Sequence, residues 1–487
     1  MRHVIILFFL VLPIYLSGQS ASSDSIRRRL LDLQLDLGKE QIQNLDNSPA
    51  RSELIGLELF LRLMINQSEN EYDRFMQETR KLRRNYREEF DDQSFISSLF
   101  LFRLHMYRAI GSAQFEKYAV AAKDILKSHQ AYKRMLDHHP AHPLTSMARG
   151  FFSVLVEQVP DRYGKIASLA GFDKAKQDGF QLLKKAYLQS KGSGNTSMAE
   201  AGLLWVLCLW EFNSNDEDIR EAWQILNRNN RINDLVLTRY TGLLVGFKTG
   251  GMDVVKSILD EMEEDGQMER LSYSYYQRGK HRLFCRQADC VDDFMHFIEK
   301  AGQGSYVKSA WLRIGFYWTI AGDVSRADYC FEQVHSQGVA LNWNDLQALN
   351  ETSGAQRPNP ELLSLRLLYD GAFFRECLEE TEVLLGAGQL ETSAYFAEVC
   401  YRKARSLEAL HKPEKALEMY ELILRDFLEV ESYHIPKSAF LAAEILAVQG
   451  FSEKAISYLD LAAATNKYEY EQTFRRQIQS LRRKLEN

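Results

Sequence analysis

The sequence predicts an all-α chain built as a solenoid of stacked helical hairpins, and three observations predict it. Proline and glycine are scarce, 9 and 27 of 487 residues, which favours long uninterrupted helices. No alternating apolar and polar run ends in a two-residue hairpin turn, so little sheet is expected. A spacing of small and bulky residues recurs along the second half of the chain. Length agrees: 487 residues exceed one ordinary compact domain, whereas a repeat array grows because each unit packs only on its neighbours.

The recurring unit has a small residue in a first helix, a second small residue 12 positions later, and a bulky residue four beyond that. Gly315, Ala327 and Phe331 give the clearest case, flanked by Trp311 and Trp318. Ala404, Ala416 and Tyr420 follow, with Pro413 in the turn, then Ala443, Ala455 and Leu459 with Gly450 in the turn. Gly279, Val291 and Met295 form a weaker one. Two antiparallel helices approach closely only where facing residues are small, and bulky neighbours then fill the remaining space. Anchors 279 and 315 lie 36 apart, and 404 and 443 lie 39 apart. The tetratricopeptide period is ~34 residues, so these read as slightly long tetratricopeptide-like hairpins.

The rest of the chain divides around this pattern. Residues 1–18 read as a signal peptide: Arg2 and His3, an apolar run from Val4 to Leu16, then Ser17, Gly18, Gln19 and Ser20. The run is short for the ~20 residues that span a bilayer, so cleavage after Gly18 is expected, and no later stretch has spanning length. Residues 19–143 read as an N-terminal helical region, with breaks expected at Asn47–Pro49, Asp91–Gln93 and Gly111–Ser112. Residues 144–350 read as a central array, and 361–487 as C-terminal repeats. The polar loop Glu351–Pro360 separates the last two blocks. In the central block Val236–Met262 reads as a helix pair joined at Gly250–Gly251. In the C-terminal block Glu361–Leu385 reads as another pair, joined near Gly371.

Charge and motifs exclude several function classes. The formal net charge is −6 with no Lys/Arg block, so nucleic-acid binding has no electrostatic support. No nucleophile elbow, phosphate-binding glycine loop, His-Glu-x-x-His or dinucleotide fingerprint is present, so no catalytic residue and no cofactor is expected. The run Asp137-His138-His139-Pro140-Ala141-His142-Pro143 carries metal-ligand residue types, but prolines and a turn context favour a solvated inter-helix loop, and no metal is expected. Of six cysteines, Cys285 and Cys290 flank an inter-helix turn and form a candidate disulfide in an oxidising compartment. The others sit in apolar helical patterns as core thiols.

One stretch resembles a known family. Gly150-Phe151-Phe152-Ser153-Val154-Leu155 leads to Val159-Pro160, then Ala170-Gly171-Phe172 and Gly179-Phe180-Gln181-Leu182-Leu183. Over residues 145–335 this is similar to the eukaryotic tetratricopeptide family linked to inclusion-body clearance and found at the outer mitochondrial membrane. The resemblance implies a helical adaptor with no active site. The signal peptide departs from the family pattern and points to an exported bacterial relative.

The candidate site is the face of the first helices, which line the concave side of a tetratricopeptide array. Repeat positions 2, 5, 9 and 12 map to Tyr273, Tyr276 and Lys280, to Leu312, Phe316 and Thr319, to Glu398, Tyr401 and Arg405, and to Lys437, Phe440 and Glu444. Aromatic anchors mixed with charges suit peptide recognition. The expected function is a non-catalytic protein-binding scaffold in a bacterial cell envelope, periplasmic or outer-membrane-associated, touching membrane only peripherally. A carrier of a lipid or other apolar ligand, and an enzyme with a site in residues 97–192, remain as alternatives.

Overall fold

The computed structural model describes residues 21–90, 94–157, 178–190, 195–212, 215–229, 232–354, 357–386, 392–465 and 471–486. Every regular element among them is helical. The expected signal peptide, the break at Asp91–Gln93, and the Val159-Pro160 and Ala170-Gly171-Phe172 motifs lie outside these residues. The chain forms two compact units. One comprises residues up to 354 apart from 282–287 and 316–327, which group with residues from 355 onward in the other. Residues on both sides of His139–Pro143 belong to the first unit, and the two units part within the Glu351–Pro360 loop.

Helices pack as hairpins in chain order. Asn195–Phe212 lies against Asp216–Asn227, and Val236–Thr249 against Met252–Glu264. In the second unit Ser393–Ala409 pairs with Pro413–Asp426, and His434–Val448 with Ser452–Thr465. First helices also touch the next first helix, as Asn195–Phe212 does Val236–Thr249. Starts are capped by side chains: Ser48 Oγ accepts from the Arg51 N–H at 3.2 Å ahead of Pro49. Asn359 Oδ1 accepts from the Glu361 and Leu362 N–H groups ahead of Pro360. At the Gly250 turn the backbone is left-handed, φ 73°, a conformation glycine reaches without the Cβ clash.

The small-residue spacing is what brings the helices together. A Cβ on Gly315 would stand 2.4 Å from the Phe331 ring, so only glycine admits that ring. Ala404, Ala416 and Tyr420 are fully buried, as are Ala443, Ala455 and Leu459. The weaker unit needs a correction. Gly279 faces Phe294, and Cys290 and Phe294 are fully buried, whereas Met295 is 43% exposed. The inward register is one residue earlier than Val291 and Met295, and one residue on a helix turns a side chain by about 100°. The break expected at Gly111–Ser112 is absent: Phe95–Gln114 continues through it, and Gly111 packs against Leu63 and Phe75.

Four charged side chains meet in the core of the first unit. Arg27 Nη1 donates to Glu53 Oε1 at 2.9 Å and to Glu200 Oε1 at 3.1 Å. Arg103 donates to Glu53 and, at 3.5 Å, to Glu200 Oε2. All four side chains are essentially inaccessible, and burial pushes the Glu200 carboxyl up against the pull of both guanidiniums. They come from the helices Ala21–Leu31, Pro49–Asn66, Phe95–Gln114 and Asn195–Phe212. The N-terminal helix thereby joins a helix 173 residues further along the chain. A second buried group supports Phe95–Gln114, where His105 Nδ1 lies 2.6 Å from Asp124 Oδ1 and Arg108 donates to the same carboxylate at 3.2 Å.

Removing one member of the quartet leaves an uncompensated buried charge, at a cost of about 3–5 kcal/mol. Glu200→Ala is expected to lower the urea-unfolding free energy by that amount. Replacing all four residues with Leu or Met is expected to cost less than the single change. Gly315→Ala forces a ring shift and is expected to cost about 1–3 kcal/mol in the same measurement.

Candidate functional site

The first helices of the first unit enclose a cleft of about 310 Å³. Val236–Thr249 contributes Tyr240, Leu244, Phe247 and Lys248, spaced so that all lie on one helical face. Asn195–Phe212 contributes Trp210 and Glu211 from its last turn. Tyr273–Phe284 contributes Tyr276, Gln277 and Lys280. Tyr306 stands at the turn before Val307–Ile320, and Trp343 and Asn344 open the helix Trp343–Thr352.

Hydrogen bonds hold these walls in place. Trp210 Nε1 donates to the Leu244 carbonyl at 2.8 Å, joining two of the first helices. The Tyr276 hydroxyl lies 2.9 Å from Ser309 Oγ. Asp345, with no exposed surface, accepts from the Tyr306 N–H at 2.7 Å and the Ser309 N–H at 3.0 Å. One carboxylate therefore caps the start of Val307–Ile320 and ties the turn at Tyr306 to the helix that carries Trp343. Burial pushes the Asp345 carboxyl up to about 7, against the hydrogen bonds it accepts from Tyr306, Ser309 and Asn342.

The lining is aromatic with a few polar groups. Trp210, Tyr240, Phe247, Tyr306 and Trp343 are half-buried. The Lys280 ammonium lies 4.0 Å from the Phe247 ring centre, and the Lys248 ammonium 5.4 Å from that of Trp210. Lys248 also donates to the Trp210 carbonyl. Burial pushes the Glu211 carboxyl up to about 8, against the attraction of Lys248. Gln277 is 5% exposed; its Nε2 donates to the Tyr240 hydroxyl at 3.3 Å, and its Oε1 has no hydrogen-bond partner.

The sequence-predicted residues fall into different roles. Tyr276 and Lys280 line the cleft. Tyr273 and Leu312 are buried, Tyr273 packing against Phe297 and Tyr306. In the second unit Phe316 is buried with the Arg366 guanidinium 5.5 Å from its ring, and Thr319 is half-buried. Tyr401 is buried against Tyr420 and His434, Glu398 accepts from Arg402 at 3.1 Å, and Arg405 donates to the Tyr369 hydroxyl at 2.5 Å. Lys437 lies 4.8 Å from the Phe440 ring, and Glu444 is exposed. Tyr273 and Leu312 are thus buried within the first unit and Phe316 and Tyr401 within the second, because large side chains between stacked helices are taken up by packing. The candidate disulfide is also corrected: Cys285 and Cys290 are not bonded. Cys290 is fully buried at a helix start, while Cys285 stands half-buried on the far side of the turn, its thiol pushed up by burial.

Most of the cleft escaped the sequence reading. No group of three or more His, Cys, Asp or Glu that could hold a metal occurs among the described residues. In the histidine-rich loop His139 and His142 pack on Phe95, 4.7 and 4.6 Å between ring centres. None of the described helices is long and apolar enough to cross a membrane.

No family model matches the chain, and no curated protein matches it. Two solved structures align over nearly the whole length. The Cut9–Hcn1 hetero-tetramer of the APC/C gives 11% identity over 96% of this chain and 97% of that one, with a TM-score of 0.26. Yeast Tom70 gives 11% identity over 96% of each chain, with a TM-score of 0.28. Likeness at that level carries no conclusion about function.

Asp345 generates a pH prediction. Its folded value near 7 lies above the ordinary ~4 of an unfolded carboxyl. The folded state therefore binds the extra proton, and stability from this group is full below about pH 4 and lost as pH rises through about 7. Relative to Asp345→Asn, the wild-type urea midpoint is expected to fall between those limits and to run parallel above them.

Proposed function

We propose that this protein is a non-catalytic protein-binding scaffold or adaptor of a bacterial cell envelope, capturing a segment of a partner in the first-helix cleft. The observation that carries this reading is the convergence of five half-buried aromatic rings on one cleft formed by several hairpins. Rings held half out of water lose their remaining hydration when a partner side chain enters, which is how interface anchors contribute affinity. The envelope setting rests on the signal-peptide order of residues 1–18.

The alternatives find less support. An apolar-ligand carrier needs a closed apolar chamber. The apolar cavity between Leu33, Leu61, Ile65 and Leu237 holds about 20 Å³, room for about one water. In the 97–192 region, of which residues 158–177 and 191–192 lie outside the described residues, the Ser97 hydroxyl is buried and hydrogen-bonded to the Tyr86 hydroxyl at 3.0 Å.

Affinity capture after crosslinking in intact cells tests the proposal. Wild type is expected to bring down one or two stoichiometric envelope proteins. Phe247→Ala with Trp343→Ala is expected to lose them while far-UV circular dichroism stays unchanged. Equal capture by the folded double variant would sink the cleft as the binding site. Cell fractionation with the chain in the cytoplasm would refute the envelope placement.

A further inference from the structure

Resting on the reading of the cleft as a peptide site, we infer that its occupant is an internal, extended segment alternating acidic and aromatic side chains, anchored by a main-chain N–H on Gln277. Three features of the cleft point to that chemistry.

The first is an acceptor that lacks its hydrogen. Gln277 is 5% exposed, and its amide nitrogen donates to the Tyr240 hydroxyl. Its Oε1 is shielded from solvent and has no partner. A buried acceptor left unpaired costs about 1–3 kcal/mol, which a ligand donor recovers on binding. A main-chain N–H is a donor carried by every extended non-proline residue.

The second is the ring geometry. Trp210 and Phe247 stand on adjacent first helices, and Trp343 and Tyr306 line the same cleft. Side chains of an extended segment alternate, so every second one can enter between rings while the others reach the rim. An aromatic side chain entering there would pack on these rings at the ordinary centre-to-centre separations of about 4.5–7 Å.

The third is charge. Lys248 and Lys280 line the cleft and hold their ammonium groups over Trp210 and Phe247. The lining carboxyl Glu211 is pushed up to about 8 by burial against the attraction of Lys248, which weakens its opposition to an anion. The side chains at the rim therefore meet cations, and Asp or Glu complements them.

The test uses three twelve-residue fluorescent peptides, each acetylated and amidated so that no terminal charge contributes. One alternates Asp with Trp, one Ser with Trp and one Lys with Trp. Fluorescence anisotropy against the full-length protein is expected to show the Asp–Trp peptide binding at least tenfold more tightly than the other two. Lys248→Ser with Lys280→Ser is expected to erase that preference. N-methylating one central amide is expected to weaken the Asp–Trp peptide about tenfold in wild type and hardly at all in Gln277→Leu. Equal binding of all three peptides, lost in the Phe247/Trp343 variant, would overturn the acidic assignment and leave the peptide-site reading intact. A full N-methyl scan without effect would overturn the Gln277 contact. Failure of every peptide to bind would overturn the inference, while capture in cells would still decide the scaffold reading separately.

Discussion

The buried quartet of Arg27, Glu53, Arg103 and Glu200 is the constraint on which the first unit depends. Two carboxylates and two guanidiniums with side-chain exposures of 0–1% can exist in a dry core only together. An apolar contact tolerates sliding, whereas this cluster accepts one arrangement of four helices. In a repeat array, where each hairpin satisfies only its neighbours, that distinction matters. The quartet supplies a long-range tie that stacking alone does not. The polar links around it run the same way: Arg28 donates to Asp234 at 2.6 Å, and the Val236 N–H donates to Asp32 at 3.3 Å.

The same tie positions the cleft. Glu200 and Trp210 share the helix Asn195–Phe212, and ten residues of helix span about 15 Å. Fixing Glu200 at one end fixes the azimuth at which Trp210 and Glu211 are presented at the other. The far wall is set by another buried carboxylate, Asp345, which holds Tyr306 and Trp343 through the start of the neighbouring helix. Buried charges thus fix both walls, and the aromatic groups between them remain half-hydrated. That combination suits capture of a flexible partner, because a pre-formed receptor leaves the ordering cost to the ligand alone.

How much of this was legible in the sequence varies with the physics of each element. The hairpins at Gly315, Ala404 and Ala443 were readable, because close helix approach demands small residues at fixed spacing. The Gly279 register slipped by one, since Val291 and Met295 are as apolar as Cys290 and Phe294 and spacing alone cannot rank them. Arg27 was invisible as a core residue. It stands beside Arg28 and Arg29, and only long-range partners distinguish a buried arginine from a solvated one. Arg103 and Glu200 offered a weak signal, each one of two charged residues in a mainly apolar helix. For the groove, repeat positions led to Lys280 and to Tyr276, which line the cleft, Tyr276 with 2% of its surface exposed. They also led to Tyr273, Leu312, Phe316 and Tyr401, which packing absorbs. Trp343 and Asp345 belong to a helix outside the repeat spacing, so no periodic argument could reach them.

The account is tested most directly by site-specific photocrosslinking in intact cells. A photoreactive phenylalanine analogue is placed at Phe247 in the cleft and, in a second strain, at Val254 on the adjoining second helix, which is 44% exposed. The account predicts a discrete protein adduct from position 247 and none from position 254. An adduct from position 254 with none from 247 would contradict it, placing the working surface on the second helices instead.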